Sequence, residues 1–94
     1  MEHVRVEFYG VARTAADRAE LQVDIPAGDG GIRLGDVLRR IAEAEPRFAG
    51  RCIDGERLAS DFIGNIDGDR FVRDPNTRLE AGQTLLILSA DAGG

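Results

Sequence analysis

The sequence is poor in several features, and each shortage closes a class of function. It holds one cysteine, Cys52, which excludes an internal disulfide, a CxxC redox pair and a cysteine-rich zinc site. Its one histidine, His3, has no second histidine or cysteine at ligand spacing, so no metal is expected. No apolar stretch approaches the ~20 residues that span a bilayer. The run Gly28-Asp29-Gly30-Gly31 lacks a P-loop lysine and does not fit GxGxxG after a strand, so it is no phosphate cradle. The acid-rich stretch 61–69 lacks the glutamate that closes an EF-hand loop. The opening Met1-Glu2-His3-Val4-Arg5 runs straight into a strand-like alternation without a signal peptide's apolar centre, so the expected address is cytoplasmic.

Positive charge is also in deficit. Seventeen acids outweigh twelve basic residues, for a net charge of −5. The arginines are interleaved with acids and form no stripe, which argues against nucleic acid and against an anionic membrane surface as partners. The 94 residues amount to one domain, burying roughly 60–65% of its unfolded surface. With 43% hydrophobic residues, apolar runs such as Thr84-Leu85-Leu86-Ile87-Leu88 demand a core, and disorder is not expected.

Periodicity then gives the elements. Val4, Val6 and Phe8 alternate with Arg5, Glu7 and Tyr9, a strand with one buried face. Residues 11–18 read as a loop or irregular turn. Leu21, Val23 and Ile25 alternate again and stop at Pro26. Leu34, Val37, Leu38, Ile41 and Ala42 form one apolar helical stripe closed by Pro46. Arg33 makes a poor N-cap, so tertiary packing is expected to fix the helix start. Residues 47–60 read as a loop from which Phe48, Cys52 and Ile53 plug the core. Two short strands, 62–66 and 70–73, flank the turn Asp67-Gly68-Asp69, whose glycine suits a positive φ. Leu79 points inward, Ala81-Gly82 turns the chain, and 84–89 is the last strand.

A hairpin, a crossing helix, short strands and a final strand imply an α+β layer, a mixed sheet packed on one main helix. The crossover lets the final strand lie parallel to the first, which is the β-grasp order. The domain is read as residues 1–90, with 91–94 as a flexible tail.

That tail ends in Gly93-Gly94 after the small residues Ser89, Ala90 and Ala92. Two glycines let the backbone pass closely through a narrow channel. The α-carboxylate of Gly94 has no Cβ beside it. Its attack on the α-phosphate of ATP would give an acyl-adenylate, which a persulfide converts to a thiocarboxylate or a lysine amine to an isopeptide. If Leu85 and Ile87 face the helix, Tyr9, Leu86 and Leu88 face outward as an apolar patch near the tail's root, a candidate docking surface.

Ile66-Asp67-Gly68-Asp69, then Leu79-Glu80-Ala81-Gly82-Gln83-Thr84 with the apolar strand, then Ala92-Gly93-Gly94, resemble the MoaD/ThiS ubiquitin-like sulfur-carrier family. Val4 to Arg13 looks like that family's opening strand and following arginine, and Leu34-Gly35-Asp36-Val37-Leu38 like its helix start. Asp67 stands where asparagine is usual, Gln83 where an acid is common, and Arg33 where a threonine cap is usual. The resemblance implies a carrier with no bound cofactor and no enzymatic activity of its own. Gly94 would be adenylated by a ubiquitin-activating-type partner (MoeB/ThiF-like) that uses ATP. MoaD-like members dock on a large MoaE-like subunit and supply sulfur to molybdopterin, ThiS-like members to the thiamine thiazole. The length leans toward the MoaD-like side, and a ubiquitin-like modifier joined through Gly94 is the alternative.

Overall fold

The computed structural model describes residues 2–93. The chain runs β1 (His3–Phe8), α1 (Val11–Ala16), β2 (Glu20–Asp24), β3 (Gly31–Arg33), α2 (Leu34–Ala44), α3 (Pro46–Cys52) and β4 (Ile53–Asp54). It continues through β5 (Arg57–Leu58), β6 (Phe62–Ile66), β7 (Arg70–Val72), β8 (Arg78–Glu80), β9 (Thr84–Ser89) and α4 (Ala90–Gly93).

The main sheet has the order β2-β1-β9-β6-β7, with β1 and β9 parallel and the other pairs antiparallel. The expected hairpin is β1–β2, and the final strand does lie beside the first. The pairs β3–β8 and β4–β5 form two small ribbons. Val4, Val6, Phe8, Leu85 and Ile87 are buried on the helix side of the sheet, against Leu34, Val37, Leu38 and Ile41 of α2. Each such side chain contributes about 1.5–3 kcal/mol by leaving water.

Arg33 gives α2 no side-chain cap. The orphan N–H groups of Leu34 and Gly35 donate instead to the carbonyls of Thr77 (2.7 Å) and Pro75 (2.9 Å). The turn at residues 74–77 is therefore the cap, and the helix start is tertiary as expected.

Two stretches expected as loops are helices. Residues 11–16 form α1, begun after Gly10 (φ 56°) and stopped by Asp17 in the left-handed region, whose N–H bonds the carbonyl of Arg13. Its buried stripe is Ala12 and Ala16, one helical repeat apart. Alanines make a weak hydrophobic signal although they favour helix strongly. Pro46 does not merely end α2. It also opens α3 at a position where its missing N–H costs nothing, and α3 carries Phe48 and Cys52 into the core. Phe48 stacks edge-on against Phe8, with ring centroids 5.0 Å apart.

Candidate functional site: the root of the C-terminal tail and the sheet face beside it

Strand β9 is the middle strand of the main sheet, held on one side by β1 and on the other by β6. It leads directly into α4, and the Ala90 N–H donates to the carbonyl of Asp61 at 2.9 Å. The tail is thus rooted in a strand paired on both sides. Ala92 and Gly93 fall within the helical turn α4, and Gly94 lies outside the described residues.

The start of β9 is fixed by a turn. Asp67 and Gly68 both have positive φ (58° and 74°), the pattern of a tight hairpin turn between β6 and β7. The Asp67 N–H donates to the Thr84 carbonyl, and its Oδ1 accepts the Thr84 N–H, both at 2.8 Å. An asparagine would present the same oxygen, so aspartate in the place usual for asparagine leaves the turn intact. Asp67→Asn is expected to stay within about 0.5 kcal/mol of the parent. Asp67→Ala is expected to cost about 1–2 kcal/mol, because alanine tolerates that φ poorly and orphans the amide. Urea unfolding of the two variants checks this.

The outward face carries Tyr9, Leu86 and Leu88, as the alternation predicts. Leu86 and Leu88 are half-buried and Tyr9 is 43% exposed. Leu86 sits between Glu7 of β1 and Asn65 of β6, and Leu88 is opposite Ile63. Tyr9 follows the Phe8–Ile87 pair, and its N–H bonds the Ile87 carbonyl at 3.0 Å, beside Leu88. The Tyr9 hydroxyl donates to Glu7 at 2.5 Å. That hydrogen bond, with some burial and the Glu7 charge, raises the phenol above its ordinary value, and Arg5 partly offsets it.

Sequence reasoning missed two members of this face. Phe71 is paired with Asn65 and is 51% exposed, and Ile63 extends the apolar surface beyond Leu88. Both lie on strands whose alternation was too short to assign a face. Asn65 is buried between Phe71 and Leu86 in register, and among the described residues its Oδ1 has no partner. The apolar part of the face therefore surrounds a buried amide and borders the Glu7 carboxylate.

Cys52 is fully buried, and burial pushes its thiol from 9.0 up to about 11. Both burial and the raised value disfavour the thiolate that would carry a persulfide or attack an adenylate. Alkylation by iodoacetamide is expected only at the rate of unfolding. The unfolded thiol ionises first as pH rises past 9, so stability falls between pH 9 and 11 by about 1–3 kcal/mol. Denaturant midpoints at pH 8 and pH 11, compared with those of Cys52→Ala, measure it. Among the described residues no group of three or more His, Cys, Asp or Glu is placed to hold a metal. No helix there is long and apolar enough to cross a membrane.

No protein-family model matches the chain, and no curated protein sequence matches it significantly. Solved structures do. SAMP1 of Haloferax volcanii superposes with a TM-score of 0.76 at 19% identity, covering 98% of this chain and 99% of that one. Urm1 of Trypanosoma brucei gives 0.69 at 19% identity, over 99% and 96% of the two chains. The fold is the ubiquitin-like β-grasp. A Pyrococcus furiosus chain, provisionally assigned as molybdopterin converting factor subunit 1, shares this β-grasp. Its TM-score is 0.70 at 20% identity, over 95% and 98% of the two chains. The β-grasp drawn from the sequence is therefore the fold observed, and its structural neighbours include one named as a small archaeal modifier protein and one as a converting-factor subunit. Identities near 20% carry the fold; the chemistry of this β-grasp has to come from its own site.

Proposed function

We propose that this chain is a ubiquitin-like sulfur carrier that acts through the α-carboxylate of Gly94. The observation that carries the reading is the tail's setting. Gly93-Gly94 follows a central strand whose outer face shows Tyr9, Leu86 and Leu88, with Phe71 nearby. A partner seated on that face holds the tail's root and aims its end.

In this reading the Gly94 carboxylate attacks the α-phosphorus of ATP within a MoeB/ThiF-like activating enzyme, and pyrophosphate leaves. A persulfide's outer sulfur then attacks the acyl carbon and AMP departs. A second thiol cleaves the resulting acyl disulfide by exchange, leaving the thiocarboxylate. The chain itself contributes the carboxylate, a slim tail and the docking face. ATP belongs to the partner. The finer proposal is that a MoaE-like subunit receives this tail and passes the sulfur to a molybdopterin precursor. The converting-factor assignment of one structural neighbour supports it.

A modifier role through a Gly94 isopeptide is the second reading, favoured by the names of the SAMP1 neighbours. All twelve basic residues of this chain are arginine. With no lysine to accept a second copy, a modifier of this sequence gives single additions at each target lysine. Affinity-tagged chain expressed in its host separates the readings. A carrier leaves free protein with pterin or thiazole synthesis dependent on it. A modifier leaves denaturation-resistant adducts, each larger than its target by one copy per lysine. If neither appears, both covalent readings fail.

A further inference from the structure

Helices α1 and α3 lie against each other, and between them runs an open groove of about 300 Å³ lined by Val11, Thr14, Ala15, Arg47 and Arg51. Its floor is apolar, and Val11 is 47% exposed. The two helices are unusual in charge. The segments VARTAA and PRFAGRC hold three arginines and no acid, in a chain whose seventeen acids set a net charge of −5.

The other large arginine cleft differs. There the lining itself holds Asp29 and Asp36, whereas the α1–α3 groove has no acid in its lining. Arg33 and Arg39 both pair with Asp36 and Glu56, Arg78 pairs with Glu80, and Arg40, without an ion pair among the described residues, donates to the Asp24 carbonyl. In the α1–α3 groove, Arg51 bonds Asp61 at 3.0 Å and lies over the Phe62 ring, while Arg47 has no ion pair among the described residues. The groove also adjoins the tail's root. Asp61, the partner of Arg51, accepts the Ala90 N–H through its carbonyl, and Ala12 donates to the carbonyl of Tyr9. The apolar sheet face and this groove therefore flank the same exit.

We propose that the α1–α3 groove docks an acidic, partly apolar segment of the protein that takes up the tail. Carboxylates of that segment meet the guanidinium groups of Arg47 and Arg51, and an aliphatic side chain rests on Val11 and Ala15. Charge complementarity fixes the sign of the partner. That this partner handles the tail rests on the carrier reading; the acidity of the segment does not.

The test uses the unloaded 94-residue chain, so loss of the thiocarboxylate chemistry leaves its outcome unchanged. An acetylated, amidated peptide Glu-Glu-Leu-Glu-Glu is titrated into the isotope-labelled chain and followed by amide NMR. Shifts are expected at Val11, Thr14, Ala15, Arg47 and Arg51, and they should fade as salt shortens the reach of the charges. Arg47→Glu, an exposed substitution that spares the Asp61 pair, is expected to weaken binding about tenfold with its melting temperature unchanged. The proposal is overturned if the glutamine analogue binds equally well or if the shifts map to the Arg33–Arg78 cleft. It is equally overturned if no shifts appear. A chain ending at Ala90 adds a further arm. If its peptide-free groove signals move and its peptide affinity rises, the chain's own tail is the occupant and the partner proposal fails.

Discussion

Deletion of Gly94 is expected to abolish adenylation while leaving the fold as it was. The deletion draws the terminal carboxylate back by about 3.3–3.6 Å, one residue's reach. An attacking oxygen must approach to about 3–3.5 Å, and misplacement by about 1 Å already costs on the order of a hundredfold. ATP–pyrophosphate exchange catalysed by the host's activating enzyme should therefore fall at least that far. The melting temperature should not move, because every β9 pairing ends at or before Ser89. Gly94→Ala keeps the reach but sets a Cβ beside the acyl carbon, so its loss should be smaller. Exchange that survives deletion would mean that the tail's exact length plays no part.

Phe48→Ala is expected to destabilise the chain by about 3–5 kcal/mol. Phe48 is fully buried and meets Phe8 edge-on, so its removal loses both transfer energy and an aromatic contact. It also opens a cavity where α3 meets β1. For a domain of this size each kcal/mol shifts the melting temperature by about 4–8 °C, so the variant should melt at least 10 °C lower. Since α1 and α3 pack together, the loss should reach the tail's root, and Phe48→Leu should recover part of it. Calorimetry or denaturant unfolding measures the effect. A change below about 1 kcal/mol would mean that α3 is not anchored as described.

The strongly patterned parts of this fold were legible in the sequence. The alternation in β1 and β9 and the stripe in α2 follow from large aliphatic side chains, and the tight turn follows from Asp67-Gly68. What stayed hidden was signalled by small residues or by distant contacts. α1 buries two alanines, too small to mark a period. α3 is seven residues long and follows Pro46 so closely that the proline reads as an end alone. The cap of α2 lies some forty residues downstream, at Pro75 and Thr77, where no local rule finds it.

The outward face beside the tail was legible only in part. Leu86 and Leu88 stood out because they alternate with Leu85 and Ile87. Phe71 needed the register with Asn65, which depends on strand pairing rather than on spacing. Its neighbour Asn65, a buried amide whose oxygen has no partner among the described residues, carried no sequence signal at all. The tail was legible only as composition, two glycines beyond a strong strand.

The central claim is that sulfur is carried at Gly94, and intact mass spectrometry of the chain isolated from its host tests it most directly. The expected result is a population heavier by one oxygen-for-sulfur exchange, confined by fragmentation to the last residue and absent when the activating enzyme is deleted. A chain that ends in an ordinary carboxylate under every condition in which the pathway runs, or that carries its added sulfur on Cys52, would contradict it.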